Sequence, residues 1–198
     1  MTDKGHRGFG KTRAEKYVKM ADIMERRPNF MLPEKAFLII DERIDQGMNI
    51  VELGSGDGTK RLTQKFNVTS IEHDENWASI LENPHIFAPI IQNEISTSFG
   101  EEGWYNLSES EQKIPQQIDL LLIDGPPGWI GRSGILGHAW LINRSRYILI
   151  DDTDRAPESE LANRILELTN GYIEEFDADE LNGEGKPRRF TWIGRLDE

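Results

Sequence analysis

The chain has 198 residues, no cysteine, 37% apolar content and a formal charge of −12. That is enough for one substantial core, and no run approaches the roughly twenty apolar residues that span a bilayer, so a soluble protein with no membrane partner is expected. Disulfides and thiolate metal sites are excluded, and the acidic balance argues against a nucleic-acid partner, which needs clustered positive charge. The charge is unevenly spread: residues 1–30 carry eight Lys or Arg against four Asp or Glu, leaving −16 for the remainder. A basic arm over 1–33 therefore precedes a domain over 34–198. Within the arm, Ala14, Tyr17, Val18, Ala21 and Met24 recur at helical spacing, which predicts an amphipathic helix over 12–27. Packing on the acidic domain, a lid over a ligand and a homodimer contact are the readings open for it. The polar, basic start carries no signal-peptide pattern, so a cytoplasmic protein is expected.

After the breaker at 28–33, a helix is predicted over 34–46, with Gly47 ending it before a strand over 49–53. That strand runs into Gly54, Ser55, Gly56, Asp57, Gly58 and Thr59, a turn dense enough in glycine to let a nucleotide-type ligand approach the backbone. A dinucleotide fingerprint needs glycine where Thr59 stands, so a nicotinamide cofactor is disfavoured. A second strand over 68–72 ends in Glu72 and His73, where a carboxylate can accept both hydroxyls of a ribose. Asp74 and Glu75 read instead as the cap and first turn of the next helix.

Further strands are predicted over 86–91, 118–123 and 147–151, with helices over 59–66, 75–81, 133–144 and 157–170. Two β-like runs, 172–176 and 189–196, flank a polar turn and should pair as a hairpin. This order predicts an α/β fold: a Rossmann-like three-layer sandwich with a mostly parallel seven-stranded sheet ending in an antiparallel hairpin. The apolar run at 118–123 delivers Asp124 to the turn Gly125, Pro126, Pro127, Gly128, and the next strand ends in Asp151 and Asp152. Three carboxylates at adjacent strand tips suit a hard divalent cation such as Mg²⁺. Asp152 and the acids after it also fit the opening of a helix, and Arg132 and Arg155 are placed to pair with them or with an acidic substrate.

The turn from Glu52 to Gly58 resembles the first motif of class I S-adenosylmethionine-dependent methyltransferases, an acidic residue, a spacer and G-x-G-x-G. The resemblance covers roughly 34–196 and extends to the hairpin that closes the sheet. It implies S-adenosyl-L-methionine as cofactor, held by Glu52, Gly54, Ser55, Gly56, Gly58, Thr59, Glu72, His73, Asn93 and Asp124. Glu94 is the alternative to Asn93. Asp124, Asp151 and Asp152 stand where metal-dependent O-methyltransferases of the catechol and macrolide-sugar types place their acids, which implies Mg²⁺ and a small hydroxylated acceptor. The sequence departs from the catechol type at Pro127, where that loop carries a lysine base. Catalysis is then expected from Asp124 and His138, or from the metal alone. Trp104, Tyr105 and Trp129 read as an aromatic wall for a ligand or as packing. The alternative function is a nucleotide- or metabolite-binding protein of the same fold without methyl transfer.

Overall fold

In the computed structural model, residues 31–78 and 83–196 are described. The helix predicted over 12–27 and the last residues of the one predicted over 75–81 lie outside them. Helix α1 (Glu34–Arg43) precedes β1 (Asn49–Leu53), α2 (Asp57–Leu62), β2 (Asn67–Glu72), α3 (Glu75–Ala78) and β3 (His85–Phe87). Then come β4 (Ile90–Ile91), α4 (Glu94–Ser98), β5 (Trp104–Tyr105) and β6 (Ile118–Ile123). After a 3-10 turn at Ser133–Gly137 follow α5 (Ala139–Arg144), β7 (Ser145–Ile150), α6 (Ala156–Leu168), β8 (Gly171–Leu181) and β9 (Pro187–Arg195).

The main sheet has seven strands in the order β3-β2-β1-β6-β7-β9-β8. The first five are parallel, while β9 runs antiparallel to both β7 and β8. The reason is visible in β6: Leu120 and Leu122 enter one hydrophobic layer, while Leu121 and Ile123 enter the other. A strand apolar on both faces belongs in the centre of a covered sheet. One layer joins Phe37 and Ile40 of α1 and Leu62 of α2 to Ile50, Leu149 and Trp192, and Leu32 already belongs to it. The other joins Leu161, Ala162 and Ile165 of α6 to Val51, Leu53, Ile71 and Ile150. In α6 the buried positions Glu158, Leu161, Ala162 and Ile165 fall on one stripe at helical spacing.

Two predicted elements are interrupted. The strand expected over 86–91 is cut at Pro89, which cannot donate to a ladder, and Ile90–Ile91 leaves the main sheet to pair antiparallel with Trp104–Tyr105. The helix expected over 133–144 breaks into a 3-10 turn and a short helix at His138, whose backbone takes φ −116° and ψ 50°. Glycines at 134 and 137 weaken the helix there, and a side chain at Gly134 would overlap Trp104. Among the described residues, no helix is long and apolar enough to cross a membrane.

Candidate active site

The sheet order reverses between β1 and β6, so their following segments diverge and leave a crevice at the carboxyl ends of the two strands. Gly54 begins the turn after β1 with φ +87°, a conformation that favours glycine. A Cβ on Gly54 would lie 3.1 Å from both N and Cα of Gly125, the residue after Asp124. The two backbones therefore touch at the crevice floor, and Asp124 N donates to Leu53 O at 3.1 Å.

The turn is braced from below. Thr59 Oγ1 donates to Glu52 Oε2 at 2.7 Å, Ser70 Oγ donates to the same oxygen at 2.9 Å, and Gly56 N donates to Thr59 Oγ1 at 3.0 Å. Glu52 is buried, and that burial pushes its carboxyl up to about 7, against the two hydroxyl donors that favour the charge. Because the folded value lies above the usual 4.5, the folded chain holds this proton more tightly than the unfolded one. Stability from this group is then complete below about 4.5 and is lost as pH rises through about 7. The loss amounts to about 3 kcal/mol. Glu52→Gln keeps one oxygen for both hydroxyls, so its unfolding free energy should fall less between pH 5 and 8 than that of the parent. Denaturant titrations at several pH values check this, and parallel profiles for the two proteins would refute it.

Glu72 ends β2 and is also buried. Its Oε2 accepts from Ser55 N at 2.9 Å and Ser55 Oγ at 3.2 Å, while Oε1 accepts from His73 N at 2.7 Å and Asp74 N at 2.9 Å. His73 Nδ1 lies 2.7 Å from Oε1. Burial alone would raise this carboxyl, but His73 and the backbone donors outweigh it and hold it below the ordinary glutamate value. Glu72 is thus a fixed negative charge at the rim of the crevice. It also ties the glycine-rich turn to β2 through Ser55.

The tips of β6 and β7 bring Asp124, Asp151 and Asp152 together, with one oxygen from each within 4.8 Å of the others. Asp152 has φ +61°, the one positive φ at a non-glycine residue among those described, and such strain collects at functional positions. Arginines surround the group. Arg132 lies 3.1 Å from Asp152 and 3.5 Å from Asp124, Arg155 lies 2.7 Å from Asp152, and Arg188 lies 2.5 Å from Asp151. Buried Glu158 lies 3.5 Å from Arg155 and 4.0 Å from Arg132. Four carboxylates thus face three guanidinium groups, and the compensation is incomplete. Burial, assisted by Asp152 and Glu52, pushes Asp124 up to about 6 against the pull of Arg132 and Arg188, and burial likewise raises Asp151. Asp151 Oδ1 is buried without a hydrogen-bond partner among the described residues. A hard divalent cation fits this donor set: oxygens only, one of them unpaired, in a cluster short of positive charge.

No family model matches the chain, and no curated protein matches it in sequence. Solved structures do match. An O-methyltransferase from Bacillus cereus, in complex with SAH, is 16% identical with a TM-score of 0.56, over 94% of this chain and 92% of that one. The 1,6-didemethyltoxoflavin-N1-methyltransferase of Burkholderia thailandensis is 13% identical with a TM-score of 0.57, over 98% of this chain and 94% of that one. An rRNA methylase from Streptococcus thermophilus is 12% identical with a TM-score of 0.55, over 85% of this chain and 99% of that one. The chain has the class I methyltransferase fold.

Within that fold the remaining predicted residues fall in several places. Gly58 is buried, and a side chain there would meet the Phe37 ring at 3.3 Å, so this glycine lets α2 settle on α1. Asn93 caps α4, its Oδ1 accepting from Ser96 N at 2.8 Å, and Glu94 opens the same helix. His138 lies between Trp104 and Trp140, with ring centroids 6.4 and 6.2 Å away, and its Nδ1 is 3.2 Å from Gly134 O. Trp129 is exposed, whereas Trp104 and Tyr105 are core residues. Of the two readings for the acids after β7, capping is not what Asp152 and Asp154 do, since Arg155 occupies the N-cap of α6 without a side-chain cap bond. Asp154 instead accepts from Asn182 Nδ2 at 2.7 Å and Arg189 N at 3.2 Å, anchoring the terminal hairpin.

Sequence reasoning missed Arg188 and Glu101. Arg188 reaches Asp151 only because β9 lies beside β7, a register the sequence does not count out. Glu101 accepts from Ser133 N at 2.9 Å and Ser133 Oγ at 2.7 Å, fixing the segment that carries Arg132. Its place in a polar connection carried no signal.

Proposed function

We propose that this chain is an S-adenosylmethionine-dependent methyltransferase acting on a hydroxyl of a small acceptor. The observation that carries the reading is the crevice itself. In a class I methyltransferase fold, Gly54 and Gly125 clear its floor, Glu72 sets a fixed charge on one side, and Asp124 stands on the other. In this reading Glu72 takes the ribose hydroxyls, and the turn from Gly54 to Gly58 lies along the cofactor's amino-acid half. The sulfonium is already a strong methyl donor, so the chain's task is to align the acceptor oxygen and take its proton. Asp124 suits the second task better than His138, which is turned between two indoles.

Asp124, Asp151 and Asp152 would hold Mg²⁺, which when bound lowers the pKa of an acceptor hydroxyl. One oxygen of Asp124 suffices for the ion and leaves the other for the proton. The alternative, a metabolite-binding protein without transfer, is separated by a direct assay. With S-adenosylmethionine labelled in its methyl group, label should pass to small hydroxylated acceptors such as catechols and sugars in the presence of Mg²⁺. Tight cofactor binding without transfer to any of a broad acceptor panel would favour the binder.

A further inference from the structure

Tyr105 is fully buried, yet its hydroxyl has no hydrogen-bond partner among the described residues. Nothing about the ring's packing requires that hydroxyl. The backbone pairs with Ile90 across the small second sheet, and the ring meets Trp104 edge-on at a centroid distance of 5.1 Å. Phenylalanine would serve both contacts equally. What the hydroxyl does have is a position. A Cβ placed on Gly125 would lie 2.5 Å from the Tyr105 oxygen and 2.8 Å from Gly54 Cα, so the hydroxyl reaches the point where the tips of β1 and β6 meet. Its ring also stands 6.2 Å from His73, the residue that lies against Glu72. A buried donor lacking an acceptor, set against the backbones of Gly54 and Gly125 at a crevice floor, is expected to find its acceptor on a ligand bound there.

We infer that the Tyr105 hydroxyl is a binding group for the cofactor, donating a hydrogen bond to its nucleoside half. The inference rests on the S-adenosylmethionine reading above. The nucleoside half is assigned because the ring stands beside His73, which with Glu72 is proposed to hold the ribose. Burial, reinforced by Glu72, keeps the phenol protonated far above neutrality, so the group acts as a donor at any working pH.

The test is Tyr105→Phe, compared with the parent by calorimetry with S-adenosylhomocysteine and with adenosine, and by thermal melting without ligand. Affinity for both ligands should fall about tenfold, as expected for one lost hydrogen bond. The ligand-free melting temperature should not fall, because the variant loses only an unpaired polar atom. Unchanged affinity, with or without a lower melting temperature, would overturn the assignment. A loss for S-adenosylhomocysteine with none for adenosine would overturn it too, by moving the bond to the amino-acid half. Failure of the parent protein to bind S-adenosylhomocysteine would remove the methyltransferase reading itself, which is a separate result.

Discussion

Replacing Glu72 with alanine should weaken S-adenosylmethionine and S-adenosylhomocysteine about ten- to hundredfold, measured by calorimetry. The magnitude follows from losing charge-assisted hydrogen bonds, about 1.5–3 kcal/mol in all. The same carboxylate accepts from Ser55 N, His73 N and Asp74 N, so the variant also strands buried donors and should melt at lower temperature. Two effects therefore need separating. Glu72→Gln keeps an acceptor for part of that network while removing the charge, and should recover more stability than affinity. NAD should bind neither the parent nor the variants measurably, because the glycine turn has the wrong spacing for a dinucleotide. A Glu72→Ala protein that melts early yet binds the cofactor as tightly as the parent would reduce Glu72 to a brace for the turn.

Removing divalent cations with EDTA should lower methyl transfer by roughly a hundredfold or more, since a Lewis acid at the acceptor oxygen supplies several kcal/mol. Mg²⁺ should restore it. An ion held by these acids in the folded chain alone would, at a hundredfold excess over its Kd, add about 2.7 kcal/mol of stability, or roughly 5–10 °C in Tm for a chain of this size. Asp124→Asn preserves shape while removing one charge, and should abolish most of both responses. Arg132 and Arg188 sharpen the experiment. They already sit 3.1 and 3.5 Å from Asp152, so a bound ion would have to lie beside them and not in their place. Full transfer in EDTA, with no thermal shift on adding Mg²⁺, would show that the arginines alone hold the carboxylates together.

The fold was legible in the sequence because a covered parallel sheet imposes two local patterns that need no tertiary information. The run at 118–123 is apolar on both faces, which only a central strand tolerates, and helical stripes such as Leu161, Ala162 and Ile165 alternate with such strands. The acids at the ends of those strands were equally legible, because a strand's last residue is at its tip whatever its neighbours do. Glu72, Asp124, Asp151 and Asp152 all stand where the apolar runs stop. What the strand tips face, by contrast, depends on strand order and register, which are global properties. Arg188 meets Asp151 from the neighbouring antiparallel strand β9, 37 residues away in sequence, and Gly125 meets Gly54 across the reversal point of the sheet. Tyr105 was read as an aromatic wall for a ligand or as packing, and the choice waited on Pro89, which diverts the chain into a second small sheet where Tyr105 is buried. Local periodicity reports which face of an element is apolar; only the assembled sheet decides which charges and hydroxyls that apolar face brings together.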